Sequence, residues 1–204
     1  MTDVNIIIGR FMPLHLGHIS ILQKMYNENG FPTIICNIHN TKFDEKHPFS
    51  DELITKEMDK CLKGEDYYQG HIFVKSAAID IIGKELHDQG YTPHLWGCGT
   101  DRAKAFEKMA NNPKYRKNGE LPDDFKVFVV DRDEHSTDVA GISATKVREA
   151  LKNDDKAEFV KMMPDGAQSL YDDFKKAYDK VMEKNESLSS LSDYMTNDNF
   201  YDFE

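Results

Sequence analysis

Val4-Asn-Ile-Ile-Ile-Gly-Arg-Phe-Met-Pro-Leu-His-Leu-Gly-His-Ile-Ser-Ile-Leu22 is the stretch whose reading decides the fold. Val4 to Ile8 is a short, β-branched apolar run, the pattern of a strand buried on both faces. Gly9 ends it, and Pro13 pushes the residue before it out of the α region, so no helix can begin there. Helical spacing of Ile19, Leu22, Met25 and Tyr26 then starts near Gly17. The segment reads as strand, tight loop and helix N-terminus, with His15 and His18 at the mouth of the helix. A helix N-terminus offers unpaired N–H groups and the positive end of a dipole, which suits a phosphate. Two imidazoles there can donate to charge that grows on a phosphate in a transition state. His-x-x-His is also a metal-ligand spacing, but no second Cys, His or carboxylate cluster accompanies it, so no metal site is expected.

Working outward, strands and helices alternate. Asn29-Gly30 closes the first helix and Thr33 to Ile38 is a second strand. A loop from His39 to Ser50 follows, with Ser50 as the N-cap of a helix to about Leu62. Gly70 to Val74 is a third strand, 77–88 a helix, His94 to Cys98 a fourth strand, and Asp101 to Ala110 a helix. Residues 111–124 are polar and read as a long surface loop, and Lys126 to Val130 is a fifth strand. This order predicts an α/β fold: a Rossmann-like parallel five-stranded sheet with helices on both faces, residues 1–151, whose ligands bind at the carboxyl ends of the strands. A helical C-terminal extension, 152–185, is expected to pack on it. Its stripe of Ala167, Leu170, Tyr171, Phe174, Ala177, Tyr178, Val181 and Met182 reads as one buried helix face. Residues 186–204 are rich in Ser, Asp and Asn and are expected to form a mobile tail, with Leu188, Leu191, Tyr194, Phe200, Tyr201 and Phe203 available for docking.

The 204 residues carry a formal charge of −10, which argues against a broad nucleic-acid surface. The three cysteines are scattered without a C-x-x-C, as in a reducing compartment. With no basic n-region and apolar stretch at the start and no membrane-length apolar run, a soluble cytoplasmic protein is expected, without membrane partners. The composition leaves a homo-oligomer open.

Three further segments carry chemistry. Ile142-Ser-Ala-Thr-Lys-Val-Arg148 is a second helix start bearing two hydroxyls and two cations, suited to a polyphosphate. Gly97-Cys-Gly-Thr-Asp-Arg102 leaves a strand and opens a helix, but Arg102 stands where a dinucleotide fingerprint needs its third glycine, and no P-loop occurs. In the loop after the second strand, Lys42 and Lys46 are phosphate candidates beside His47-Pro-Phe-Ser50. Trp96, inside a strand, reads as core or as a platform for a planar ring.

Gly9-Arg-Phe-Met-Pro-Leu-His-Leu-Gly-His18 resembles the His-x-Gly-His motif of the nucleotidylyltransferase superfamily. Its Arg-containing form is most similar to nicotinamide-mononucleotide adenylyltransferases of the archaeal type and the related bifunctional bacterial regulator-type enzymes. Residues 142–148 resemble the superfamily's Ile-Ser-Ser/Thr-Thr-x-x-Arg, and Gly99 to Arg102 its Gly-x-Asp-Arg turn. His47-Pro-Phe-Ser50 resembles the Asn-Pro-Phe-Thr segment, although Leu53 and Ile54 stand where an Arg often follows. The resemblance implies attack by a phosphomonoester on the α-phosphorus of ATP, with Mg²⁺ bound through the ATP phosphates. It assigns His15, His18, Lys146 and Arg148 to catalysis. Gly9, Arg10, Phe11, Gly17, Gly99, Asp101, Arg102, Ile142, Ser143 and Thr145 fall to the nucleotide, and Asn37, Lys42, Phe49 and Trp96 to the acceptor. Nicotinamide mononucleotide is the acceptor this implies. Phosphopantetheine, FMN, glycerol 3-phosphate or a cytidylyl donor would use the same machinery, though cytidylyl and flavin enzymes usually read Gly-x-Phe-Asp where Arg10 and Met12 stand. A nucleotide-sensing module without turnover is the rival of another class.

Overall fold

Along β1 (Thr2–Gly9), Ile6 and Ile8 enter one hydrophobic cluster while Ile7 enters another. Successive strand side chains point to opposite faces, so an unbroken apolar run demands cover on both. The computed structural model describes residues 1–131 and 141–197, with side chains of the last helix as far as 187. Its chain continues through α1 (Leu16–Asn29), β2 (Thr33–Ile38), α2 (Asp51–Leu62), β3 (Tyr68–Val74), α3 (Ile79–Asp88), β4 (Tyr91–Gly99), α4 (Thr100–Ala110), α5 (Pro113–Asn118) and β5 (Lys126–Val130). Four helices follow: α6 (Ala144–Lys152), α7 (Lys156–Met162), α8 (Asp165–Gln168) and α9 (Tyr171–Asn197). The strands lie in the order β3-β2-β1-β4-β5, and every pairing is parallel. After β3 the chain crosses back to lay β4 against the free side of β1. The carboxyl ends of β1 and β4 therefore flank the crevice where such sheets bind ligands.

One face is covered by α1, α2 and α6–α9, the other by α3, α4 and α5. Gly97 permits the close seat of α1 on β4, since a Cβ there would lie 2.6 Å from the Met25 sulfur. Phe174 and Tyr178 of α9 pack with Phe49, Phe159 and Tyr171, with Phe174 edge-on to Phe49. Burying such a ring stabilises the fold by roughly 1.5–3 kcal/mol, so the C-terminal helices are part of the core. No helix among the described residues is long and apolar enough to cross a membrane.

Two expectations change. Residues 111–124 contain α5, begun by Asn112, whose side chain caps the Lys114 N–H, and by Pro113 in the first turn. Arg116 then donates to the carbonyls of Ala110, Pro122, Asp123 and Phe125, which holds this polar segment in a fixed shape. At the C-terminus the composition changes near residue 185 but α9 continues to Asn197, because no Gly or Pro interrupts it after Tyr171. Phe200, Tyr201 and Phe203, and the side chains of Leu188, Leu191 and Tyr194, lie outside the described residues.

Candidate functional site

His15 and His18 begin α1 as a reciprocal pair. The His15 Nδ1 accepts from the Gly17 N–H at 3.1 Å, and the His18 Nδ1 accepts from the His15 N–H at 3.3 Å. This is a capping box built from two imidazoles in place of the usual hydroxyl and carboxamide. Because each Nδ1 accepts, each neutral ring carries its proton on Nε2. The rings stack with centroids 3.8 Å apart. His18 faces a cleft, while His15, 1 % exposed, lies behind it.

The cleft holds about 460 Å³ at the carboxyl edge of the sheet. Its floor is Ile7 to Gly9 of β1 and Gly97 to Gly99 of β4. Around it stand Arg10, Phe11, Met12 and His18, with Asp101, Arg102 and Phe106 from α4 and Arg148 from α6. Ile21, Ile38, Lys46, His47 and Ala77 complete the lining among the described residues. α4 starts at this edge of the cleft with Gly99 as its N-cap, and no side-chain cap is made there among the described residues.

The second phosphate-type segment is joined to the first. Ser143 caps α6 through the Lys146 N–H. Arg148 reaches across, with Nη1 donating to the Met12 carbonyl at 2.8 Å and Nη2 to Thr145 Oγ1 at 3.3 Å. A Cβ on Gly17 would lie 3.2 Å from the Ile142 carbonyl oxygen and 3.0 Å from the His15 ring. Glycine thus lets the two helix starts approach. Burial lowers the pKa of the Arg148 guanidinium while Tyr178, Glu45 and Asp44 oppose it, and the group stays charged.

The loop after β2 is closed by its own polar groups. Asn40 Nδ2 donates to the carbonyls of His47 and Phe49. The His47 Nδ1 pairs with Asp44 Oδ1 at 2.9 Å, leaving Nε2 3.3 Å from Arg10 Nη1. Burial works against charge on Asp44, but its bonds to Lys42 and His47 hold its carboxyl below the usual range. Beside this loop a smaller cavity of about 270 Å³ is shared by Lys46, Arg148, Thr145 and Lys152 with Glu45 and Tyr178. Lys152 and the Tyr178 hydroxyl both contact Glu45.

Of the residues singled out in sequence, Gly9, Arg10, Phe11, His18, Gly99, Asp101, Arg102 and Arg148 share the cleft lining. Gly17, Ile142, Ser143 and Thr145 build the junction behind it. Lys146 turns away, its Nζ donating to the Gly141 carbonyl at 2.7 Å, because capped helical geometry sends its side chain back over the first turn. The residues expected to hold the acceptor lie outside this lining. Trp96 is 0 % exposed and stacks on Phe106, and Phe49 is sealed beneath α9. Asn37 is buried with Oδ1 accepting the Phe11 N–H. Lys42 extends to solvent beside Asp44. His47 lines the cleft without belonging to the expected ligand set, and its signal in the sequence is Asp44-x-x-His47. Ile38, Ala77, Cys98 and Phe106 line the cleft as small or apolar residues and give no sequence signal. No group of three His, Cys, Asp or Glu among the described residues could hold a metal ion.

A Cytidylyltransferase-like family model matches residues 6–150. Comparison with curated proteins finds no match. Among solved structures, Plasmodium falciparum nicotinic acid mononucleotide adenylyltransferase in complex with NaAD is similar at 17 % identity and TM-score 0.59, over 88 % of this chain and 98 % of that one. A bifunctional NMN adenylyltransferase/ADP ribose pyrophosphatase from Francisella tularensis, complexed with AMP and Mn ion, is similar at 16 % identity and TM-score 0.58, over 99 % of this chain and 58 % of that one. A putative nicotinate-nucleotide adenylyltransferase from Vibrio parahaemolyticus follows at 15 % identity and TM-score 0.54, over 84 % and 99 %. At these identities the likeness is one of fold.

Proposed function

The chain belongs to the cytidylyltransferase-like family and is a nucleotidyltransferase, and from that premise we propose that it joins ATP and nicotinamide mononucleotide to give NAD and pyrophosphate. The observation that carries this reading is the joining of two helix starts at one cleft, with Gly17 against Ile142 behind it and His18 and Arg148, the latter on Met12, in its lining. A nucleoside triphosphate has the length and charge to engage both. In a chain of charge −10, the described residues of the cleft lining set Arg10, Lys46, Arg102 and Arg148 against one carboxylate, Asp101.

In the proposed reaction an oxygen of the acceptor phosphate forms a bond to the α-phosphorus of ATP. The bond to the bridging oxygen of the β-phosphate breaks, and the electron pair leaves with pyrophosphate. Mg²⁺ enters with ATP as part of the substrate, held by phosphate oxygens and water. His18 donates from Nε2 to the growing charge, with His15 stacked behind it. Arg148 and Arg10 neutralise the polyphosphate, and Asp101 and Arg102 take the nucleoside side. Transfer of this kind needs positioning and charge neutralisation more than covalent catalysis. The acceptor is assigned to the part of the cleft bounded by Ile38, His47 and Ala77, at the ends of β2 and β3. The nicotinate- and nicotinamide-nucleotide enzymes among the structures of similar fold support that choice of acceptor.

The test is NAD formation from ATP and nicotinamide mononucleotide, coupled to a dehydrogenase. Nicotinic acid mononucleotide, phosphopantetheine, FMN and glycerol 3-phosphate serve as parallel acceptors, with CTP as alternative donor. NAD formed with ATP preferred is the expected outcome. Pyrophosphate release only with another acceptor would overturn the acceptor and leave nucleotidyl transfer standing. ATP binding without transfer to any acceptor would favour the sensing module.

A further inference from the structure

Glu57 lies in the middle of α2, fully buried, and is the only buried carboxylate side chain among the described residues. Its Oε2 accepts the Leu14 N–H at 3.0 Å, while Oε1 is buried with no hydrogen-bond partner. Around it α2 contributes Ile54, Met58 and Leu62 to the hydrophobic core. A buried acid in such surroundings is costly, and an apolar side chain of like volume often serves stability as well or better. Core packing alone therefore does not account for it. Its one partner does, because Leu14 immediately precedes His15.

The rest of the loop is held in the same manner. The Phe11 N–H goes to Asn37 of β2, the Met12 carbonyl receives Arg148 of α6, and the Leu14 N–H goes to Glu57 of α2. Three side chains from three elements fix the segment that leads into the paired imidazoles. We propose that Glu57 is a positioning residue for nucleotidyl transfer: by accepting the Leu14 amide it sets the loop that leads into the imidazole pair, so that His18 faces the phosphates with His15 stacked behind it. The proposal rests on the function given above. Burial pushes the Glu57 carboxyl well above the usual carboxylate range, which favours the neutral acid. In that form the carbonyl oxygen is the acceptor, and glutamine reproduces it.

The test compares Glu57→Gln, which keeps an acceptor, with Glu57→Met, which fills the space without one. Turnover, ATP affinity, thermal unfolding and the imidazole ¹H–¹⁵N spectrum of His15 and His18 are recorded for each. Glu57→Gln is expected to keep kcat within roughly threefold and an unchanged imidazole spectrum. Glu57→Met should lose about 10–100-fold in kcat, the scale of a misplaced catalytic group, with ATP affinity changed far less and the imidazole signals shifted. Should Glu57→Met fail to fold, Glu57→Asp, which draws the acceptor back by one methylene, carries the same expectation. Full turnover per folded molecule in the variant without an acceptor would overturn the proposal, as would equal loss in Glu57→Gln. If the wild-type protein transfers to no acceptor, the functional reading fails by itself. The imidazole spectra of the two variants then still decide whether Glu57 sets the loop.

Discussion

At His18 one imidazole serves both the helix and the cleft. Its Nδ1 closes the cap on the His15 N–H, so the neutral ring carries its proton on Nε2. Replacing it with alanine would confound the two effects, since losing a cap costs about 1 kcal/mol by itself. Glutamine at this position of a capping box can keep the reciprocal bond. His18→Gln is therefore expected to melt within a few degrees of the wild type while kcat falls roughly 10²–10³-fold, the range for a lost transition-state donor. Steady-state kinetics beside a melting curve checks it, and full turnover would remove His18 from the chemistry. The sequence made the pair visible as a cluster at a helix mouth. It gave no sign that the rings cap each other, because histidine is not among the residues usually read as N-caps. Nor did it reveal Glu57, whose partner is a backbone amide 43 residues away.

Among elements, α6 does more than present its N-terminus. Arg148 ties it to the loop after β1, so the guanidinium supports the first motif as well as facing the cleft. Arg148→Ala should raise the KM for ATP about 10–100-fold, the equivalent of one charged hydrogen-bonded contact of about 1.5–3 kcal/mol, and should lower the melting temperature as the Met12 carbonyl loses its donor. Arg148→Lys should restore only part of either effect, since an ammonium cannot reach both Met12 and Thr145 as the planar fork does. Unchanged ATP kinetics in the alanine variant would leave residues 142–148 as an ordinary capped helix. Element identity was largely legible here. Apolar runs gave the five strands, and Ser50 and Ser143 marked the starts of α2 and α6. α5 escaped because it presents no apolar face, and what holds it is one Arg116 clasping four carbonyls.

Across the whole molecule the sheet is polar in function. Its carboxyl edge carries the basic cleft, while its amino edge is tied by acids around one histidine. There His94 Nε2 meets Asp3 at 2.9 Å and Nδ1 meets Asp124 at 2.8 Å, linking the starts of β1 and β4 to the turn before β5. Burial opposes charge on this ring, but the bonds to Asp3 and Asp124 outweigh it and hold its pKa above the ordinary value. A raised folded-state pKa means that protonated His94 stabilises the fold in full below about pH 6.5, the unfolded value, and that this contribution is lost as pH rises through the folded pKa. His71 acts in the opposite sense, since burial lowers its pKa, so the wild-type stability curve alone would mix the two. The informative quantity is the difference between the wild type and His94→Gln. Urea unfolding between pH 5.5 and 8.5 should give a wild-type advantage that is largest at the acidic end and shrinks as pH rises. ATP affinity at fixed pH should stay the same in both proteins, because the pair sits at the edge of the sheet opposite the cleft. A stability difference independent of pH would mean that the ring acts here by packing on Phe31 rather than by its charge.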